Sequence, residues 1–275
     1  MFPKAKKSFG QNWLVDETVV AKIVEAAEIA PGETVLEVGP GTGVLTQALV
    51  DAGARVVAIE ADPALIPVLR ERFGKSIELI HGDILSFTFS PAIASATAGS
   101  TSATYKLVSN IPYNITSDVL RRFLTTDPKP SRMVLMVQKE VADRILATPP
   151  NMSLLSIVCQ LYARCSRVAN VPAGAFRPVP KVDSAVVRLD LVDSAVRWGI
   201  HPEEVIALAK LGFSSRRKQL HGNLKPRVDS QCIKHALESL GLPPSARAQE
   251  LSVENWIQLA SKLDPSRGAK RRGIS

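Results

Sequence analysis

Asn110-Ile111-Pro112-Tyr113 brings an amide, a proline and an aromatic ring into four residues, directly after the apolar run Tyr105-Lys106-Leu107-Val108-Ser109. That combination suits a reaction at the exocyclic amino group of a flat heterocycle. Such a nitrogen is a poor nucleophile because its lone pair is delocalised into the ring. A site must therefore supply acceptors that take its N–H bonds and favour a pyramidal, localised lone pair. The Asn110 side-chain oxygen and the carbonyl of Ile111 or Pro112 can do this. Pro112 has no N–H and fixes φ near about −65°, which holds the adjoining carbonyls in one direction, and Tyr113 offers a face on which a ring can stack. The same residue types also build an ordinary turn at a strand end, so the box needs company before it means chemistry.

Company lies upstream. Glu37-Val38-Gly39-Pro40-Gly41-Thr42-Gly43 closes one β-rich run and opens a helical one. Glycines such as Gly39 and Gly41 at that junction let the backbone approach a ligand closely, and a bare glycine turn serves NAD, FAD or an adenosyl group equally well. Its sharper features are the acid Glu37 just before the turn and GxGxG spacing in place of GxGxxG. Roughly 20 residues beyond it, Glu60 ends Val56-Val57-Ala58-Ile59, the position from which a carboxylate accepts both ribose hydroxyls. Such charge-assisted bonds are worth about 1.5–3 kcal/mol each. Gly82-Asp83-Ile84 ends a third run, where Asp83 can accept from an adenine amino group and Ile84 can lie against the ring. Any one of these acids, like Asp62, could be a helix N-cap. Acids ending successive strands, followed by the Asn110 box at a later one, are hard to explain as unrelated caps.

The elements that must position these residues can be read from periodicity. A helix is expected from Asp16 to about Ala30, where Val19, Val20, Ile23, Val24 and Ala27 recur at helical spacing. Strand-then-helix alternation follows: Thr34–Val38 with Val44–Ala52, Arg55–Glu60 with Asp62–Phe73, Ile77–His81 with a loop, Lys106–Ser109 with Thr116–Leu124, and Arg132–Val137 with Lys139–Leu146. A helix at Leu154–Ala163 and strands at Arg164–Val171 and Ser184–Leu191 complete the series. Repeated βα units with near-continuous apolar strands predict a parallel sheet covered on both faces, with ligands beyond the strands' carboxyl ends. Near Val192 the pattern changes to helices alone, at Pro202–Gly212, Arg216–Leu224, Gln231–Leu240 and Val253–Leu263. The division expected is residues 1–192, a helical domain at 193–265 and a basic, disordered tail at 266–275. Ser90–Thr104, rich in Ala, Ser, Thr and Gly, reads as a flexible loop.

Composition bounds the function. The 275 residues are 45% apolar and 22% charged, as in a soluble globular protein. No apolar run is long enough to span a membrane and no secretory signal is visible, so a cytoplasmic protein is expected. Cys159, Cys165 and Cys232 form no CxxC pair, and the four histidines have no ligand spacing, so neither a disulfide frame nor a metal site is expected. Of the net charge of +8, Lys4, Lys6 and Lys7 carry +3 and the last ten residues +4, leaving +1 between them. Basic ends suit a polyanion or simple solubility.

Taken in order, Gly10-Gln11-Asn12-Trp13-Leu14, the glycine turn, Glu60, Gly82-Asp83, Asn110-Ile111-Pro112-Tyr113-Asn114-Ile115-Thr116 and Phe176-Arg177-Pro178-Val179-Pro180-Lys181-Val182-Asp183-Ser184 resemble the ribosomal RNA adenine dimethyltransferases over nearly the whole chain. Departures are Trp13, where the family usually has Phe and where bulk bears on the mouth of the site, and Ser109, where glycine usually precedes the box. The resemblance implies an α/β fold, a Rossmann-like S-adenosylmethionine-dependent methyltransferase sheet with a small all-α C-terminal domain. It implies that Asn12, Leu14, Gly39, Glu60, Asp83 and Asn110 contact S-adenosyl-L-methionine, with Gln11 close by. Asn110, Tyr113 and Phe176 become the catalytic group, the two rings sandwiching a flipped adenine. Arg121-Arg122 with Lys129 and Arg132, Arg177 and Lys181, and Arg216-Arg217-Lys218 are expected to track phosphates.

Phe213-Ser214-Ser215-Arg216-Arg217-Lys218-Gln219-Leu220 resembles the C-terminal motif of the bacterial small-subunit enzymes. Those enzymes dimethylate two adjacent adenosines in the loop of the 3′-terminal helix of 16S rRNA. The expected partner is therefore 16S rRNA within the 30S subunit or its precursor, met by a monomer. The alternatives are a 23S rRNA adenine methyltransferase of the macrolide-resistance type and a non-catalytic ribosome-assembly factor.

Overall fold

In the computed structural model, which describes residues 5–6, 9–87 and 105–263, the β-rich apolar runs form strands and the segments of helical spacing cover them. Lys4, Lys7, the Ser90–Thr104 loop and the tail at 266–275 lie outside the described residues. In chain order the elements are β1 (Trp13–Leu14), α1 (Glu17–Ala27), β2 (Thr34–Val38), α2 (Val44–Asp51), β3 (Arg55–Glu60), α3 (Ile66–Phe73), β4 (Ile77–His81), β5 (Lys106–Asn110), α4 (Thr116–Thr125), β6 (Arg132–Gln138) and α5 (Lys139–Ile145). Then come α6 (Leu154–Tyr162), β7 (Ala163–Val171), β8 (Phe176–Arg177), β9 (Ser184–Leu191), α7 (Ser194–Trp198), α8 (Pro202–Gly212), α9 (Leu220–Leu224), α10 (Ser230–Glu238) and α11 (Val253–Leu263).

The chain divides into two units, Met1–Asp143 with Arg164–Leu191, and Arg144–Ala163 with Val192–Ser275. The sequence pattern places residues 1–192 in one domain. The structure instead groups Arg144–Ala163 with the later helices, because the Tyr162 hydroxyl donates to Glu203 Oε1 at 2.9 Å and the Met152 N–H to the Gln249 carbonyl at 3.1 Å.

Within the first unit the sheet order is β4-β3-β2-β5-β6-β9-β7. Every residue of β2 is buried, as is all of β3 except Arg55, the pattern of strands covered on both faces. β2 pairs in parallel with β3 and β5, β3 with β4, and β5 with β6. β9 corrects the wholly parallel expectation: it runs antiparallel to β6, with Ser184 opposite Gln138 and Asp190 opposite Arg132. Its neighbour β7 is joined to it through residues 172–183, which hold only a short 3-10 turn and β8. No crossover helix, the usual link of a parallel pair, lies between them. A separate two-stranded ribbon pairs β1 with β8, Leu14 opposite Phe176.

Helix α1 begins where Asp16 accepts the Thr18 and Val19 N–H groups, and it buries Val19, Val20, Ile23 and Ala27. It ends at Glu28, a non-glycine residue at φ 49°. Arg132 and Arg188 hold that end, donating to the Ala27 and Ala26 carbonyls and to the Glu28 carboxylate. Arg132 was grouped with phosphate-tracking residues by sequence; its ion pairs with Glu28 and Asp190 make it a structural clamp instead. No helix among the described residues is long and apolar enough to cross a membrane.

In the second unit, α9 starts at Leu220, so Arg216, Arg217 and Lys218 precede that helix and do not open it. Asn223 explains this: its buried Nδ2 donates to the carbonyls of Gly212 and Ser215 at 2.6 and 2.9 Å, which holds the intervening backbone in turns. Gly212 ends α8 where a Cβ would meet Trp256 Cη2 at 2.4 Å and Leu220 Cδ1 at 2.9 Å. Trp256 is completely buried and stacks on Phe213, ring centroids 5.8 Å apart, so it cannot swing aside. Gly212→Ala is expected to cost about 1–3 kcal/mol of stability. Chemical denaturation would show this as a lower midpoint, and an unaltered midpoint would contradict the packing described.

Candidate active site

Strand order reverses between β2 and β5, and a crevice at such a reversal is the ligand-binding place of open α/β sheets. The pairing shows why a crevice opens. β2 and β5 are in register only at Val35–Lys106 and Leu36–Leu107, whereas β2 follows β3 for its whole length, from Thr34–Arg55 to Val38–Ile59. Beyond Leu107 one side-chain bond bridges the gap, from the fully buried Ser109 hydroxyl to the Val38 carbonyl at 2.5 Å. Asn110 follows at once, at the mouth of the divergence.

A cavity of about 390 Å³ lies there, within the usual size range of small-molecule sites. Gln11, Asn12 and Leu14 line it from the N-terminal side, Gly39, Gly41, Glu60, Asp83 and Ile84 from the ends of β2, β3 and β4, and Asn110 and Tyr113 from the end of β5. The structure thus brings together every residue singled out for the cofactor, and Tyr113 with them. Phe176 is different. It is completely buried in the apolar core with Val171 and Ala175 and does not line the cavity. Its ring is thus not presented to the cavity opposite Tyr113 in this structure. Burial is the physical reason: the Phe176 backbone pairs with Leu14 while its ring anchors the β1–β8 ribbon to the core.

The glycine turn is dictated by contacts. Gly43 has φ +78°, and a Cβ there would lie 2.5 Å from the Phe73 ring. Gly39 donates its N–H to the Ile59 carbonyl at 2.8 Å, fixing the turn to β3. Glu60, itself buried, accepts the Gly41 N–H at 3.2 Å and the Asp62 N–H at 2.8 Å, one on each oxygen. Asp83 is exposed and accepts the Leu85 N–H at 2.9 Å, so it caps the following turn while also lining the cavity.

Asn110 Nδ2 donates to the Asn12 carbonyl at 3.2 Å, which sets the amide's orientation, and among the described residues no donor reaches its Oδ1. The Pro112 carbonyl takes the Ile115 N–H at 3.2 Å and the Thr116 hydroxyl at 3.4 Å. Tyr113 shares a 2.7 Å hydrogen bond with the Ser184 hydroxyl, which fixes its ring. Ser184 ends the Phe176 motif, but its bond to Tyr113 has no signal in the sequence because the two lie 71 positions apart.

Asp62, read from sequence only as a possible cap, holds the N-terminal segment. It accepts from Lys6 Nζ at 2.7 Å and Gln11 Nε2 at 2.9 Å, as well as from the Ala64 N–H. The available signal was a second acid two positions after Glu60.

The basic residues are dispersed in role. Arg121 is exposed on α4 and pairs with Asp118 at 2.9 Å. Arg122 donates to the Leu85 carbonyl at 2.6 Å and to the Phe87 carbonyl, tying down the segment after β4. Arg177 donates to the Gly174 and Phe176 carbonyls, and Lys181 is exposed. In the second unit Arg216, Arg217 and Lys218 are all exposed.

Burial shapes the charges. It pushes the Glu37 carboxyl up to about 8, against the lowering effect of the Thr46 hydroxyl that donates to it at 2.7 Å. Burial also raises Glu60 and the Tyr113 hydroxyl. At Asp62 burial acts in the same direction, but the hydrogen bonds from Lys6 and Gln11 outweigh it and hold the carboxyl below its ordinary value. Glu37 therefore keeps its proton when folded and loses it when unfolded above the ordinary 4.5. The folded state binds the extra proton, so this group's contribution to stability falls as pH rises from 4.5 towards 8. Glu37→Gln removes that dependence, and its melting temperature should gain on the wild type steadily between about pH 5 and pH 8. A constant difference across that range would show that Glu37 is ionised when folded.

A family model described as ribosomal RNA adenine dimethylase matches residues 2–264. The ribosomal RNA small subunit methyltransferase A of Dehalococcoides mccartyi is 40% identical over 260 residues, covering 93% of this chain and 87% of that protein. The protein of the same name from Thermosynechococcus vestitus is 41% identical over 268 residues, covering 94% and 97%. Among solved structures, the 23S rRNA methyltransferase ErmE superposes with a TM-score of 0.75 at 28% identity, covering 92% of this chain and 100% of that one. A dimethyladenosine transferase from Plasmodium falciparum gives 0.74 at 28% identity, covering 90% and 95%.

Proposed function

The chain belongs to the ribosomal RNA adenine dimethylase family, and from that premise we propose that it dimethylates N6 of two adjacent adenosines in the loop of the 3′-terminal helix of 16S rRNA. The observation that carries this reading is Asn110, set at the mouth of the β2–β5 divergence with Oδ1 open and three strand-end residues, Gly39, Glu60 and Asp83, around the same cavity. It is an S-adenosylmethionine-dependent enzyme. The cofactor supplies a methyl already activated on a sulfonium, so the chain needs no covalent nucleophile; its work is binding and positioning.

The residues fit that work. Glu60, presented from a strand end and bonded among the described residues only by backbone N–H groups, would accept the ribose hydroxyls, and Asp83 and Ile84 would hold the adenine of the cofactor. Gln11, Asn12 and Leu14 would close the methionine end. Asn110 Oδ1 accepts one hydrogen of the target amine and localises its lone pair. Because the Pro112 carbonyl is occupied by the turn, the Ile111 carbonyl takes the second. Tyr113, held by Ser184, provides the stacking face, while Phe176 contributes by anchoring β1.

The first unit is the catalytic one in this reading. Exposed Arg121, Lys181 and Arg177 on it, and Arg216, Arg217 and Lys218 on the second unit, meet phosphates of the 30S subunit or its precursor. The enzyme acts as a monomer in the cytoplasm, with a part in small-subunit biogenesis.

Labelled cofactor offered with unmethylated 30S particles or with 23S rRNA tests the reading. Labelled N6,N6-dimethyladenosine in 16S rRNA alone is expected. Label confined to 23S rRNA would assign the chain to the resistance type, and particle binding without transfer would make it an assembly factor. Asn110→Ala should bind RNA normally but lose on the order of 10²–10³ in single-turnover rate, the loss of one transition-state hydrogen-bond partner. Near-normal turnover would remove Asn110 from the reacting centre.

A further inference from the structure

Trp13 carries a polar atom that the site as described does not use. Its indole Nε1 is buried without a hydrogen-bond partner, one of three such side-chain atoms among the described residues. The other two, on Gln249 and Trp256, do not line the cavity; Trp13 does. A buried donor left unpaired is costly enough to call for an explanation. An indole N–H can only donate, so its partner must be an acceptor.

Two further observations say which acceptor. The indole edge rests on the glycine turn: a Cβ on Gly41 would lie 3.2 Å from Trp13 Cδ1 and 3.5 Å from Nε1. Pairing of Trp13 with Arg177 in the β1–β8 ribbon keeps the ring there, so an acceptor lying along the turn is the one within reach. Among the described residues the cavity is also lined by Glu37, Glu60 and Asp83 but by no lysine or arginine. Acids suit hydroxyls, amines and a sulfonium. The anionic end of an amino-acid group meets no lysine or arginine among these described residues, which leaves it N–H donors such as the indole.

We infer that the Trp13 indole N–H donates to the α-carboxylate of the cofactor's methionine portion. The inference rests on the methyltransferase reading, and it makes Trp13 a binding residue whose contribution a phenylalanine at this position would lack.

Calorimetric titration of the full chain with S-adenosylhomocysteine and with methylthioadenosine, which keeps the adenosine and sulfur but lacks the amino-acid portion, tests it. Trp13→Phe should bind S-adenosylhomocysteine about 10–100-fold more weakly, as expected for a lost bond to a charged group. Its affinity for methylthioadenosine should stay within about twofold of wild type, which also shows that the variant is folded. Equal weakening towards both ligands, or no change towards either, overturns the assignment and leaves the methyltransferase reading standing. A wild-type chain that binds neither ligand overturns both. In the wild type, the Trp13 indole N–H resonance should move strongly with S-adenosylhomocysteine and little with methylthioadenosine. An identical response to the two ligands also overturns the assignment, whether or not the variant can be made.

Discussion

The divergence of β2 from β5 is the constraint on which the rest of the site depends. Parallel strands that stayed in register to their ends would fill the space above them with backbone. Here pairing stops at Leu36 and Leu107, and the glycine turn leaves from one strand end while the Asn110 box leaves from the other. The gap must open without fraying, and the buried Ser109 hydroxyl meets that need by bonding the Val38 carbonyl. Where the family usually has glycine before the box, this chain has a side chain that both fills the space and satisfies a strand-end acceptor. The Asn110 amide is thus one residue from a fixed point of the sheet. Positioning of this kind is what catalysis without a covalent nucleophile requires.

Electrostatics follow from the same geometry. Strand ends of a sheet covered on both faces are poorly hydrated, so acids placed there are raised unless hydrogen bonds compensate. Glu37 and Glu60 are raised by burial; Asp62, two residues beyond Glu60, is lowered because Lys6 and Gln11 reach it. One carboxylate of the adjoining pair is thus neutralised by the N-terminal segment, and that segment carries Asn12, whose carbonyl orients the Asn110 amide. The N-terminal residues therefore do more than cover the cavity: they connect Asp62, beside Glu60, to the Asn110 amide.

Much of this was legible in the residue pattern. Strand ends at Glu60 and His81 and the helix at Pro202–Gly212 follow directly from apolar periodicity and glycine or proline boundaries. Acids at successive strand ends pointed to the cavity because side chains at the carboxyl ends of parallel strands converge. What escaped depended on contacts between distant parts of the chain. The reversal of β9 against β6 and the short β1–β8 ribbon, paired across more than 150 residues, are contacts that no local periodicity records. Arg132 looked like a phosphate ligand because its partners Glu28 and Asp190 are remote in sequence. Phe176 looked like a stacking ring because its motif is unusual; burial of that ring is decided by the ribbon it belongs to.

A cavity built this way makes one demand above the others, that the cofactor lie across the β2–β5 divergence with its ribose at Glu60 and its sulfur beside Asn110. A crystal structure of the full chain with S-adenosylhomocysteine tests it most directly. The account predicts both ribose hydroxyls within hydrogen-bond distance of the Glu60 carboxylate and the thioether next to the Asn110 side chain. A ligand seated away from Glu60, or with its sulfur turned from Asn110, would contradict it.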